Sequence, residues 1–217
     1  MSEENIAGDI LSYSSEWIHQ VESETHWRLY WKQQKLIEKF GRLSANSKVL
    51  EIGPGSGFTA NYLTHKGFDV TTLDIDEDKR PDIIANIVEM NLEEQYDLIL
   101  AFEVFEHAPF KYLAKIAKNL SRSCKSDLVI SLPHHRPVWF SAKFKLANHY
   151  LTFEIKRPRF LPRRKLGTNH HWELGHSKET SVGKIGDIFQ LNGFNCIYRE
   201  RFLDREFFYF QTKSREL

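Results

Sequence analysis

Apolar positions along this chain keep two different rhythms. Within the first 45 residues, Trp27, Tyr30, Trp31, Ile37 and Phe40 recur at three- and four-residue steps and form one apolar stripe. That spacing predicts a helix lying on a core, with Trp17 and Ile18 in an earlier helix. The same aromatics suit a lid that closes over a ligand, and both roles can hold together. From Lys48 the rhythm changes to short apolar runs alternating with helical segments. Strands are expected at 48–52, at 69–73 ending in Asp74, near 82–86, at 96–102 and at 127–132. Helices are expected from 57 to Lys66, stopped by Gly67, and after Pro109, with Phe110, Leu113, Ala117 and Leu120 on one face. Such alternation is the signature of a parallel α/β sheet. A last helix over Lys178–Leu191, closed by Gly193, precedes strands at 195–202 and 206–212 that read as a hairpin. One antiparallel strand therefore finishes the sheet.

Between these regular stretches lies an insert with neither rhythm. Residues 136–165 carry nine basic residues (Arg136, Lys143, Lys145, Lys156, Arg157, Arg159, Arg163, Arg164 and Lys165) against one acid, Glu154. Aromatics are interleaved at Trp139, Phe140, Phe144, Tyr150, Phe153 and Phe160. The insert admits a solvated face, an anionic small-molecule acceptor or an anionic membrane surface. Nucleic acid fits less well, because the whole chain has a formal charge of only +1 and carries no recognisable RNA-binding module.

The 217 residues suit a single domain. We divide it into an N-terminal helical cap (1–45), a core (46–135), the basic insert with its return (136–177) and a C-terminal helix with hairpin (178–217). Two cysteines, Cys124 and Cys196, fit buried free thiols in a reducing compartment rather than a disulfide framework. No apolar stretch is long enough to span a bilayer, and the start Met-Ser-Glu-Glu-Asn lacks a secretory pattern. Both observations lead us to expect a cytoplasmic protein.

The candidate chemistry begins at Val49-Leu-Glu-Ile-Gly-Pro-Gly-Ser-Gly57. A buried strand ends at an acid and turns through three glycines into a helix, where backbone can approach a ligand closely. A dinucleotide fingerprint would need glycine at 58, which is Phe58, and no Gly-Lys-Ser/Thr follows to make a phosphate loop. The Glu51 carboxylate beside the loop argues against pyrophosphate and for a cationic or hydroxyl-rich ligand.

Four ordered motifs then carry a resemblance: Glu51-Ile-Gly-Pro-Gly-Ser-Gly57, Leu73-Asp-Ile-Asp76, Asp82-Ile-Ile-Ala-Asn-Ile87, and Tyr96-Asp-Leu-Ile-Leu-Ala-Phe-Glu-Val-Phe-Glu-His107. Over residues 46–135 and 178–213 the chain resembles the class I S-adenosylmethionine-dependent methyltransferases. The resemblance implies a Rossmann-like, mostly parallel seven-stranded sheet of order 3-2-1-4-5-7-6, with helices on both faces. It also implies S-adenosylmethionine across the C-terminal strand edges. By position, Glu51, Gly53, Gly55 and Gly57 would flank the methionine part and Asp74 would accept from the ribose hydroxyls. Ile75, Ile87 and Phe102 would surround the cofactor, and Asn86 stands where relatives often carry an aspartate that accepts from the adenine amino group.

Glu103-Val-Phe-Glu106-His107 has two readings. Some relatives, including certain ubiquinone-pathway and small-RNA methyltransferases, use the same run to ligate a divalent metal. In others it orients the loop or touches the methyl end of the cofactor, and on that reading no metal is expected. A metal would need a further histidine, from His134-His135 or His170-His171. His135 and His171, with Glu103, are the candidate acid–base residues. The expected activity is methyl transfer to an oxygen or nitrogen of a small-molecule, sugar or lipid-linked acceptor. The alternatives are a non-catalytic cofactor-binding module and a metal-assisted O-methyltransferase acting on an RNA or quinone-type hydroxyl.

Overall fold

The buried apolar runs Val49–Ile52, Leu98–Ala101 and Leu128–Ile130 become neighbouring central strands of one sheet. The computed structural model describes residues 23–135, 138–147, 149–158, 165–167 and 169–213. The helix expected at Trp17 and Ile18, and the basic positions Arg136, Arg159, Arg163 and Arg164, lie outside the described residues.

In chain order the elements are α1 (Glu24–Phe40), β1 (Lys48–Ile52), α2 (Phe58–His65), β2 (Asp69–Asp74), β3 (Ile83–Ile84), β4 (Tyr96–Phe102), α3 (Leu113–Ser123) and β5 (Cys124–Pro133). They continue through β6 (Val138–Leu146), β7 (His149–Lys156), α4 (Val182–Leu191), β8 (Phe194–Phe202) and β9 (Arg205–Thr212). The main sheet runs β3-β2-β1-β4-β5-β9-β8. With the insert strands set aside, this is the 3-2-1-4-5-7-6 order implied by the resemblance. β9 is antiparallel to both β5 and β8, while the pairings among β1 to β5 are parallel. The fold is thus an α/β, Rossmann-like sheet closed by one reversed strand.

Side-chain alternation along each strand divides the core between two layers. Leu50, Ile99, Leu128, Ile130 and Phe210 pack with Leu113, Ile116 and Leu120 of α3 and with Ile185 and Phe189 of α4. Val49, Leu98, Leu100 and Val129 point the other way and meet Ile37 of α1 and Leu63 of α2. Burial on both faces explains why the central strands read as continuous apolar runs. Phe189 anchors the first layer, stacked on Phe210 at 4.7 Å between ring centroids.

The packing face of α1 differs from the stripe read in the sequence. Its buried residues are Leu29, Gln33, Gln34, Leu36 and Ile37, whereas Trp27 and Trp31 remain 53% and 57% exposed. Two glutamines can lie inside because Thr59 of α2 partners both: its hydroxyl donates to Gln33 Oε1 at 3.0 Å, and Gln34 Nε2 donates to it at 3.5 Å. The tryptophans lie along the rim, Trp27 edge-on to Phe58 and Trp31 near Phe202. The insert, which carried no element assignment in the sequence, forms a separate antiparallel pair, β6 with β7.

Candidate functional site

β1, β2 and β4 all end at the same sheet edge, and the loops that leave them enclose a cavity of about 280 Å³. After β1 the chain turns through Gly53, whose φ of +66° suits glycine, and a Cβ there would stand 2.7 Å from Val104 Cγ2. That close approach brings the loop after β1 against the loop after β4. Gly57, also left-handed, starts α2. Glu51 is buried beneath the glycine loop. One hydrogen bond reaches its carboxylate from the Ala60 backbone, and Oε2 has no partner. Burial pushes its pKa up to about 8, so the site favours a neutral carboxyl until a cation or a donor arrives.

Asp74, at the end of β2, is buried and accepts from the Asp76 amide at 3.0 Å. Lys79 pairs with it, Nζ lying 3.1 Å from Oδ2. A buried carboxylate needs such a partner, and Lys79 was not singled out in the sequence. It follows Asp74 by five residues across a short 3₁₀ turn, a spacing without a recognised motif.

The opposite wall is the turn after β4. Glu103 has φ +57°, a left-handed conformation that is uncommon outside glycine and is held here by its surroundings. Ser131 Oγ donates to its carboxylate at 2.8 Å, and Arg205 forms an ion pair with it. Glu106 is fully buried, and both of its carboxylate oxygens lack a partner. Burial, reinforced by the Glu103 charge, raises its pKa well above the usual carboxylate range. His107 Nδ1 lies 2.7 Å from the Asn169 carbonyl, so that nitrogen carries the proton and donates. Burial lowers the His107 pKa to about 4.

The return from the insert brings His170 to the cavity, with Glu173 buried behind it. His170 Nδ1 lies 3.0 Å from Glu173 Oε1, and the buried Glu173 also accepts from the Gly167 amide at 2.7 Å. Glu106, His107 and His170 each offer one ligand atom, and these atoms lie within 4.8 Å of one another.

Most of the residues singled out in the sequence converge here. Glu51, Gly53, Gly55 and Asp74 line the cavity, as do Ile75, Ile87, Phe102 and Glu103. Gly57 and Asn86 do not line it. Gly57 serves the start of α2, and Asn86 Oδ1 accepts from the Val88 amide at 2.8 Å in a local turn. The two histidines read as candidate bases are also absent from the wall. His135 is buried behind it, with Nδ1 3.1 Å from Glu173 Oε2, and the His171 amide donates to the Glu106 carbonyl while its side chain is exposed. Glu173 receives His135 and His170 together, and it is His170 that lines the cavity. From α1, His26, Tyr30 and Gln33 complete the wall, and the Tyr30 hydroxyl lies 3.0 Å from Ser56 Oγ in the glycine loop.

The fold has many solved counterparts. The N-methyltransferase NodS from Bradyrhizobium japonicum WM9, solved with S-adenosylhomocysteine, aligns over 96% of this chain and 97% of its own, with 14% identity and a TM-score of 0.59. Magnesium protoporphyrin IX methyltransferase (ChlM) from Synechocystis PCC 6803, with S-adenosylhomocysteine, aligns over 87% and 84%, with 15% identity and a TM-score of 0.59. The glycopeptide N-methyltransferase MtfA, with S-adenosylmethionine, aligns over 84% and 93%, with 11% identity and a TM-score of 0.55. No curated protein matches the sequence. The model of a methyltransferase-domain family matches residues 25–199, and the chain belongs to that family.

Proposed function

We propose that this protein transfers a methyl group from S-adenosylmethionine to an oxygen or nitrogen of a small, anionic or lipid-linked acceptor. The observation that carries the reading is the pair of buried acids at the ends of adjacent strands, Glu51 and Asp74, facing one cavity beneath a glycine turn. The unpartnered Glu51 oxygen fits a cationic or hydrogen-bond-donating ligand, and Asp74 stands where vicinal hydroxyls can be accepted. Ile75, Ile87 and Leu73 add an apolar stretch suited to a base ring. Family membership and the cofactors bound in NodS, ChlM and MtfA support the same ligand.

Bound there, the cofactor supplies a methyl group already activated by a sulfonium. What remains for the protein is to align acceptor, methyl carbon and leaving sulfur, and to exclude water. α1 contributes Leu29 and Tyr30 to the wall and so serves as a cover as well as a packing helix. An acceptor that must lose a proton needs a base, and the position of His170 in the cavity wall supports it in that role. Glu173 holds Nδ1–H, which directs the basic lone pair of Nε2 away from that carboxylate. Calorimetry with S-adenosylmethionine and S-adenosylhomocysteine tests the reading. Micromolar binding of both is expected, and binding of neither would leave a fold without its ligand.

One observation favours a second reading. Both Glu106 oxygens are buried without partners, close to His107 and His170, and each imidazole is oriented through Nδ1 by a protein oxygen. Oriented imidazoles beside a carboxylate suit a divalent ion. Glu106, His107 and His170 would hold it, and the ion would lower the pKa of an acceptor hydroxyl. Metal analysis of protein purified without chelator separates the two readings: a stoichiometric divalent ion lost in His170→Ala favours the second, and its absence favours His170 as a base.

A further inference from the structure

The insert hairpin presents an apolar face that nothing in the described chain covers. Strand alternation and the β6–β7 register put Phe140, Ala142, Phe144 and Leu146 on one strand opposite Ile155, Phe153, Leu151 and His149 on the other. The large apolar members of this set are all exposed, from 43% at Ile155 to 70% at Leu146, and Trp139 beside them is 61% exposed. Six such side chains on one side of a two-stranded ribbon exceed the scattered apolar exposure normal for a soluble surface. A lone hairpin is also marginal in water, so this face is stabilised most by something apolar.

Charge indicates what that something is. Lys145 and Arg157 lie on the hairpin and at its base, Lys165 follows later in the chain, and the whole stretch 136–165 holds nine cations against one acid. Because the entire chain has a formal charge of +1, the rest of the molecule is net acidic. Along the sequence, the positive charge is therefore concentrated in the same segment as the exposed aromatics. A second copy of the chain would bring like charges together around the apolar contact. A nucleic-acid strand would use the cations and could stack on the phenylalanines, but it would leave the aliphatic Leu146, Leu151 and Ile155 wet. An anionic bilayer satisfies both features, with aromatics at the headgroup boundary and cations on acidic lipid heads.

The hairpin also stands where such docking matters. It leaves the C-terminal end of β5, the strand edge that bears the cavity, and the chain returns from it through His170 in the cavity wall. We propose that the β6–β7 hairpin is a peripheral membrane foot that seats the protein on anionic lipid through Phe140, Phe144, Leu151 and Phe153. On the methyl-transfer reading above, and only on it, this makes the acceptor a lipid-embedded molecule.

Sedimentation with phosphatidylcholine vesicles, with and without phosphatidylglycerol, tests the foot without reference to the cofactor. The full chain is expected to sediment with the anionic vesicles alone and to be released as salt rises. Phe144→Ser, Leu151→Ser and Phe153→Ser together should weaken vesicle binding at least tenfold, and the charge pair Lys145→Glu with Arg157→Glu should do the same. Neither set touches the cavity, so calorimetry with S-adenosylhomocysteine should be unchanged in both and serves as the check on folding. Wild-type protein that ignores anionic vesicles overturns the proposal, as does a serine triple variant that binds them normally. Concentration-dependent dimerisation of the wild type, abolished by the triple variant, would instead assign the face to a second copy. Vesicle binding without cofactor binding would leave the foot standing and remove the methyl-transfer reading.

Discussion

The buried Glu51 carboxyl makes cofactor binding a proton-linked event, and the link has a calculable size. The Glu51 pKa is raised to about 8 by burial, so at pH 7 the carboxyl is mostly protonated. A cationic ligand binds the ionised form better and must expel that proton. The sign follows: affinity rises with pH until the group is ionised without help, near pH 8. From pH 6 to pH 7.5 the ionised fraction, and with it the affinity, grows roughly twentyfold. An α-amino group on the ligand, with a pKa of about 7.7–8.0, loses less than a factor of two of its protonated form by pH 7.5 and so only blunts the rise. His107, lowered to about 4, is already neutral throughout this window. Calorimetry in two buffers of different ionisation enthalpy should show nearly one proton released per S-adenosylmethionine bound at pH 6. Glu51→Gln should remove both the proton release and the slope. An affinity that is flat across this window in the wild type, or an unchanged slope in Glu51→Gln, would refute the assignment of Glu51 to the cationic end of the ligand.

Four further outcomes are expected. Asp74→Ala should weaken S-adenosylmethionine binding at least tenfold, about 1.4 kcal/mol, because hydrogen bonds to a charged acceptor are lost; equal affinity in a folded variant would remove Asp74 from the site. Gly55→Val should abolish cofactor binding and lower the melting temperature by a few degrees, since φ at this cavity-lining position is +56° and a β-branched side chain there is strained; normal binding would detach the loop from the cofactor. His170→Ala should cut kcat roughly 10²- to 10⁴-fold with cofactor affinity unchanged, and Glu173→Gln should follow it while shifting the pH–rate profile; full activity in His170→Ala would dismiss it as the base. Phe189→Ala should cost about 3–5 kcal/mol of stability in chemical denaturation, because the ring is fully buried among Phe105, Phe194 and Phe210; a cost under 1 kcal/mol would mean the core repacks around it.

Strands were the most legible part of the sequence. β1 and β4 coincide with the runs read at 48–52 and 96–102, because burial on both faces leaves no polar alternation to blur their limits. The cavity was legible for a related reason: its walls are strand ends and the loops directly after them, so chain order alone collects Glu51, Asp74 and Glu103 at one edge. What could not be read depends on contacts between distant segments. Gln33 and Gln34 look like surface residues until Thr59 supplies their partners, and that hid the true packing face of α1. Asn86 was read as a cofactor contact, yet it does not line the cavity and its Oδ1 accepts from the Val88 amide in a local turn. His170 could not be preferred to His171 from adjacent positions, because the choice is made by Glu173 and by the turn that gives the His171 amide to Glu106. The β6–β7 pair was not read at all, because its basic and aromatic residues masked the strand alternation, and that no other described element covers its apolar face is decided only by the fold.

A crystal structure of the protein with S-adenosylhomocysteine tests the central claim most directly. The account predicts the ribose on Asp74, the adenine against Ile75 and Ile87, and the homocysteine amino group within hydrogen-bonding reach of Glu51 beneath Gly53 and Gly55. Density for the ligand anywhere else, or a cavity that stays empty at saturating ligand, would contradict it.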